Sequence, residues 1–368
     1  MFSRSIRSLS AAALALTGVA VLAPSAQAVA PGWRVGFQFS AQLRDLSGIA
    51  ASDTHSAWMV GDFCPVPCSE STTTPASYRW NGKHWAPAGI TANQVAGLTT
   101  VSTSGPTNTW AFGFKSTPTG GVSRSAHWDG HTWVTAGLPN GGSPYGPLID
   151  SSVTLSPKDT WVFGGFYTSG SPAYLAHSTG KTWKQIAAPK KLKPGIIRDA
   201  VALSGKDIWA LVVEPQLVAG DNGYDVLHYD GKSWTIVKTP ANFTSKGGLV
   251  VRSKNDIWLA GGRLGSSGQP TKAGAMHFNG TKWSFVPVAT KYSSLKSVAD
   301  DGQGGLWALT TSGISELWHD VKGHWSKVTP SNINSPNLWQ LVHIPRTSTT
   351  LGIGIDSTGP AIFVTGTF

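Results

Sequence analysis

Charge is scarce in this chain. Only 13% of its 368 residues are Asp, Glu, Lys or Arg, and acids are the rarer kind, with sixteen Asp and three Glu (Glu70, Glu214 and Glu316). A glycosidase needs two carboxylates facing one bond. Many of the Asp here are instead placed in turns (Asp129, Asp230, Asp320) or just ahead of a recurring tryptophan (Asp159, Asp207, Asp256). Neither a Gly-x-Ser-x-Gly elbow nor a phosphate-binding loop is present. Cysteine is limited to Cys64 and Cys68, too few for a zinc site, and their spacing lacks the two-residue gap of a redox motif. These shortages argue against catalysis and imply no metal and no cofactor.

Long hydrophobic runs are missing as well. The single apolar stretch, Ala11 to Leu22, is too short to span a bilayer. Arg4 and Arg7 precede it and the small-x-small triplet Ala26-Gln27-Ala28 follows, the pattern of an export signal over residues 1–28. The alternative, a retained membrane anchor, fits the cleavage triplet poorly. The expected mature chain starts near Val29 and is secreted, with no membrane span. Losing two arginines and no acid takes the net charge from +10 to +8. Outside the cell a basic surface points to anionic envelope polymers or an acidic partner rather than nucleic acid, unless it serves solubility alone. In an exported protein Cys64 and Cys68, bracketing Pro65-Val66-Pro67, read as one disulfide that orders a single loop.

What is abundant is tryptophan, 17 in all, and it repeats. Trp58, Trp110, Trp161, Trp209, Trp258 and Trp307 recur in short apolar strands at gaps of 52, 51, 48, 49 and 49. A second series follows tight turns, as in Asn81-Gly82-Lys83-His84-Trp85, Asp129-Gly130-His131-Thr132-Trp133, Asp230-Gly231-Lys232-Ser233-Trp234 and Asn279-Gly280-Thr281-Lys282-Trp283, with Trp183 and Trp325 in step. Asn-Gly and Asp-Gly suit two-residue hairpins, whose central residues need positive φ. Each unit therefore reads as four short antiparallel strands, the pattern of a propeller blade.

Six full units fill about 43–90, 91–139, 140–189, 190–240, 241–288 and 289–330. The last stretch, 331–368, supplies three strands only. Trp33-Arg34-Val35 occupies the place of the missing fourth, 52 residues before Trp85. The expected fold is an all-β, seven-bladed propeller of four-stranded blades in one domain over 29–368, closed by the N-terminal strand and so without an open edge. Thirteen of the tryptophans fall on the two repeat positions, which marks them as core. His127, His177, His228 and His277 share one position on successive blades, with Arg79 in that place in the first. Equivalent positions on different blades lie too far apart to hold one ion, so these histidines read as structural.

The Gly-x-x-Trp hairpins resemble the Asp-box repeats of sialidase-like propellers, although Asp or Asn here adjoins the Gly and the earlier Ser is missing. The whole plan (exported, basic, rich in Trp, one propeller) is similar to the propeller lectin subunits of the secreted umbrella toxin particles of filamentous actinobacteria. That resemblance implies a lectin that targets the particle and docks on a small adaptor protein.

Ligands usually meet a rigid scaffold at its loops. The residues expected where each inner strand begins differ between blades: Arg44 and Asp45, Gln94, Asp150, Arg198 and Asp199, Lys246, Lys296 and Trp339, with Tyr145 and Tyr292 in preceding loops. Planar hydrogen-bonding groups beside aromatics suit sugars, so these eleven are the candidate ligand-binding residues. The same mouth would admit a peptide of another secreted chain. A polysaccharide-active hydrolase or lyase is a further alternative, and a plain solvated rim is the bland one. Lys181, Lys184, Lys190, Lys191 and Lys193 form the densest basic run, read either as a solvated face or as an anchor for an anionic polymer or acidic protein.

Overall fold

The computed structural model describes residues 32–368 except 66–72, 92, 118–119, 145, 167, 169, 215–222, 312–313, 331–332, 335 and 367–368. The export signal, Cys68 and Tyr145 therefore lie outside the described residues. Seven antiparallel sheets follow one another around a central channel. The first blade shows the plan, with strands Leu43–Asp53, Ser56–Phe63, Thr74–Trp80 and Trp85–Pro87 running from the channel outward. The other inner strands are Gly97–Gly105, Leu148–Ser156, Ile196–Ser204, the interrupted pair Phe243–Thr244 and Leu249–Ser253, Leu295–Asp300 and Asn337–His343. No helix occurs among the described residues.

The ring closes through the N-terminus. Arg34–Gln38 is the outermost strand of the seventh blade, paired with Gly359–Val364. Thus residues more than 300 positions apart share one sheet, and the seventh blade gains its fourth strand like the other six.

Tryptophan pairs join neighbouring blades at several of the joints. The Trp that opens an outer strand stands edge-on against the second-strand Trp of the blade before it: Trp133 on Trp58, Trp183 on Trp110, and Trp33 on Trp307, each at 5.3 Å between ring centroids. Edge-to-face pairs of this kind add to the large area such rings bury. The last pair matters most for closure, because Trp33 comes from the N-terminal strand and is only 3% exposed.

Within a blade, the recurring histidine faces the recurring tryptophan across the second and third strands, as in Trp161↔His177 and Trp209↔His228. The rings stack at 4.0–4.4 Å in blades two to six. Asp159, Asp207 and Asp256 each accept a hydrogen bond from their histidine's Nε2 and another from the indole of the tryptophan two places on. A carboxylate can only accept, so Nε2 carries the proton. His319 joins the series on Asp301, a member hidden in the sequence because its acid precedes Trp307 by six residues rather than two. In the first blade Arg79 takes the histidine's place, 5.8 Å from the centre of the Trp58 ring. These histidines are cross-strand struts of the wall.

Candidate functional site: a ring of bulges at the channel mouth

The inner strands do not pair evenly. Each is bulged near its start, so that one extra residue stands opposite a continuous second strand. In the first three blades the extra residues are Ser47, Thr99 and Asp150. In the fourth, sixth and seventh they are Arg198, Lys296 and Trp339. The fifth blade goes further. Its inner strand breaks at Ser245–Gly248, which places Lys246 at the same level. A bulge bends the strand and re-aims the side chain it carries. All seven of these residues line one channel of ≈ 750 Å³.

The second strand makes room for the bend with glycine. Gly61, Gly113, Gly164, Gly261 and Gly354 lie opposite the bulges of their blades. A Cβ at Gly61, Gly113 or Gly164 would sit 1.7–1.8 Å from the inner strand's carbonyl oxygen, so any larger residue would push the inner strand away. In the fifth blade Gly248 supplies the break itself. Its φ of +83° suits a residue without Cβ, and an added Cβ would meet Ala260 at 2.8 Å.

The ring is unevenly charged. Arg198 donates to Asp150 at 3.1 Å across two blades, and burial raises the Asp150 carboxyl against the pull of that guanidinium. Asp199, the next residue, turns toward the following blade and accepts the Leu249 amide at 2.8 Å. Its pKa is pushed up to about 6 by burial, against hydrogen bonds from the amides of Leu249, Ala200 and Gly248. Lys246 and Lys296 have no acidic partner among the described residues. Lys296 is half-buried, and desolvation lowers its pKa. Beside it around the ring, Trp339 is half-buried and donates its indole N–H to Leu46 O at 2.8 Å in the first blade.

Six of the eleven expected residues thus meet at the channel: Asp150, Arg198, Asp199, Lys246, Lys296 and Trp339. Asp45 and Gln94 lie outside it, each a few residues ahead of the bulge. Gln94 instead donates to Trp133 O at 2.7 Å and accepts the Thr91 amide, bracing a loop. Ser47 and Thr99 hold the positions expected of them. Tyr292 is half-buried under Lys291, also off the channel. Arg44 is the second residue of the first inner strand, but its side chain is outside the described residues, as is Tyr145. Trp-x-x-Gly recurs in the second strands of blades one, two, three and five, with its glycine opposite the bulge, a sequence signal that the choice of mouth residues did not draw on.

The basic run does not stay together. Lys181 lies in the hairpin between third and outer strands, at the far end of the ring from the mouth, whereas Lys190, Lys191 and Lys193 lie in the loop that leads back toward it. Lys193 lies 3.6 Å from Glu214. Cys64 is 4% exposed and accepts the Thr73 hydroxyl at 3.4 Å.

No known protein family's profile matches this chain, and no curated protein matches it in sequence. Solved structures match its fold. YCF48 from Cyanidioschyzon merolae aligns over 91% of this chain and 98% of its own at 16% identity and a TM-score of 0.59. A structure of YCF48 bound to D1 peptide aligns over 92% and 100% at 14% identity and a TM-score of 0.56. The GH74 xyloglucanase from Xanthomonas campestris aligns over 92% of this chain and 52% of its own, at 16% identity and a TM-score of 0.60. The chain is a seven-bladed β-propeller. At these identities the likeness carries the fold alone, and the fold hosts peptide binders and polysaccharide hydrolases alike.

Proposed function

We propose that this protein is a non-catalytic, secreted binding propeller whose channel mouth takes an acidic carbohydrate of the cell envelope. The observation that carries the reading is the ring of bulges: seven blades built on one plan present seven side chains that vary from blade to blade. Two cations without acidic partners among the described residues, Lys246 and Lys296, share the channel mouth with the aromatic Trp339. Ammonium groups suit a carboxylate or phosphate substituent, and an indole suits the apolar face of a sugar ring. The carboxylates are otherwise engaged, Asp150 with Arg198 and Asp199 with backbone amides, which supports binding over glycoside hydrolysis.

Export through residues 1–28, a Cys64–Cys68 bridge, and service as the targeting subunit of a larger secreted assembly belong to the same proposal. The test is calorimetric titration of the mature chain with acidic and neutral envelope oligosaccharides. Saturable binding confined to the acidic members is expected. Binding of neutral members alone, or turnover of any of them, would overturn the reading. A second reading, capture of a peptide from another secreted chain, is favoured by the peptide-bound propeller of the same fold. It predicts that other exported chains co-purify with the protein from culture fluid and that an acidic sugar does not displace them.

A further inference from the structure

The opposite end of the ring carries a second, independent feature. Blades one to six each have two turns there, one between inner and second strands and one between third and outer strands. In blades three, four and five both turns bear a lysine. The first turns carry Lys158, Lys206 and Lys254, at intervals of 48 and 48, and the second carry Lys181, Lys232 and Lys282, at intervals of 51 and 50. All six are exposed.

The turns are held rather than loose. Lys158 and Lys206 donate their amides to Ser156 and Ser204 hydroxyls at 3.2 Å, and the Lys232 and Lys282 amides donate to Asp230 and Asn279 at 2.9 and 3.0 Å. Within a blade the two turns touch. A Cβ on Gly231 would meet the Lys206 side chain at 2.8 Å, and one on Gly180 would meet that of Lys158 at 3.4 Å. Blades three and four therefore present their lysines side by side. In blade five a Cβ on Gly280 would meet Asn255 instead, and Lys254 precedes that Asn by one residue, so the fifth blade carries the same two charges one position out of step.

The acids that would neutralise this face point elsewhere. Asp159, Asp207 and Asp256 are turned inward to their histidines and indoles, and Asp230 caps the backbone of its own turn. None of the six lysines is ion-paired among the described residues. The apices between them are Gly, Ser, Thr, Asn and Pro. They offer no aromatic to stack on a base. Of the exposed large apolar side chains among the described residues only Leu203, ahead of the fourth blade's first turn, lies in these three blades, one residue rather than a wedge for a bilayer interface.

We propose that this lysine face binds a linear, phosphate-rich polymer with no nucleobases, a charge-repeat ligand laid across a charge-repeat surface. The inference does not rest on the function of the mouth. Long-chain inorganic polyphosphate is the probe, with monophosphate, single-stranded DNA and phosphatidylglycerol vesicles beside it. Two charge-matched variants are compared with the parent chain, Lys206→Ala/Lys232→Ala/Lys254→Ala on the turn face and Lys190→Ala/Lys191→Ala/Lys238→Ala at the mouth end. The parent should bind polyphosphate with an affinity that falls steeply with salt, and should bind monophosphate far more weakly. The turn-face variant should lose roughly tenfold or more in affinity, and its salt slope should drop by about one per lysine removed, with unchanged melting. The mouth-end variant should bind within about twofold of the parent, since net charge alone sets no location. Equal losses in both variants, no loss in the turn-face variant, or tighter binding to vesicles or DNA than to polyphosphate would overturn the proposal.

Discussion

The wall of the ring and its mouth are built from the same repeat but in opposite manners. In the wall, one residue type returns at one position, and its neighbours return with it: Trp on the second strand, His stacked on it, and an Asp, or Asn108 in the second blade, hydrogen-bonded to the His. At the mouth, the position returns and the residue does not, from Ser47 and Thr99 through Asp150, Arg198, Lys246 and Lys296 to Trp339. Repetition of the residue marks what stability requires of every blade. Repetition of the geometry with variation of the residue marks a surface that something else reads.

The comparison breaks most severely if closure is lost. Deleting residues 32–40 removes the outer strand of the seventh blade together with Trp33, which packs on Trp307. The burial of Trp33 alone is worth about 3–5 kcal/mol, so thermal melting of the truncated chain should fall by many degrees or become non-cooperative. Melting like the parent's would show that the seventh blade stands without its N-terminal strand.

A single wall tryptophan should come next. Trp307 is fully buried, and Trp307→Ala should cost roughly 3–5 kcal/mol in chemical denaturation. Arg198→Ala at the mouth removes a partly exposed ion pair and should cost no more than about 1 kcal/mol. Similar costs for the two would erase the distinction between wall and mouth.

Trp339 sharpens the comparison because it belongs to both regions. It lines the channel, yet its indole bonds Leu46 O in the neighbouring blade and its ring packs on the cluster around Leu46 and Ile353. Trp339→Ala should therefore destabilise by about 1–3 kcal/mol, between the other two, and should weaken ligand binding more than its stability cost implies. Denaturation and titration of the same preparation separate the two effects.

Asp199 gives a smaller, pH-dependent effect. Its carboxyl has a higher pKa in the folded chain, about 6, than the value near 4 expected when unfolded. The native state thus binds the proton more tightly, so the stability this group contributes is present below about pH 4 and is lost as pH rises toward 6. Asp199→Asn should flatten that decline in a melting series from pH 4 to 7. A slope equal to the parent's would mean that another group titrates there.

Most of the wall was legible in the sequence because a buried aromatic at a fixed register leaves a period that spacing alone reveals. Hairpins were legible for a similar reason, since Asn-Gly and Asp-Gly are among the few pairs that make such turns. The mouth was less so. Its level is set by a bulge, and a bulge shifts register without changing composition, so Arg44, Asp45 and Gln94 were placed a few residues early while Ser47 and Thr99 passed as ordinary strand. The break at Ser245-Lys246-Gly247-Gly248 was written in its two glycines, which weaken a strand interior. The basic run read as one patch because neighbours in sequence were taken as neighbours in space, whereas one outer strand carries Lys181 and Lys190 to opposite ends of the ring.

The most direct test of the account is the affinity of the mature protein for an acidic oligosaccharide, with galacturonate oligomers as the probe, before and after Lys246→Ala/Lys296→Ala. Both lysines lie at the mouth without acidic partners among the described residues, so the double variant should melt with the parent and bind at least roughly tenfold more weakly, as expected when two charge-assisted contacts are lost. An unchanged dissociation constant in a normally folded double variant would contradict the assignment of the mouth as the binding site.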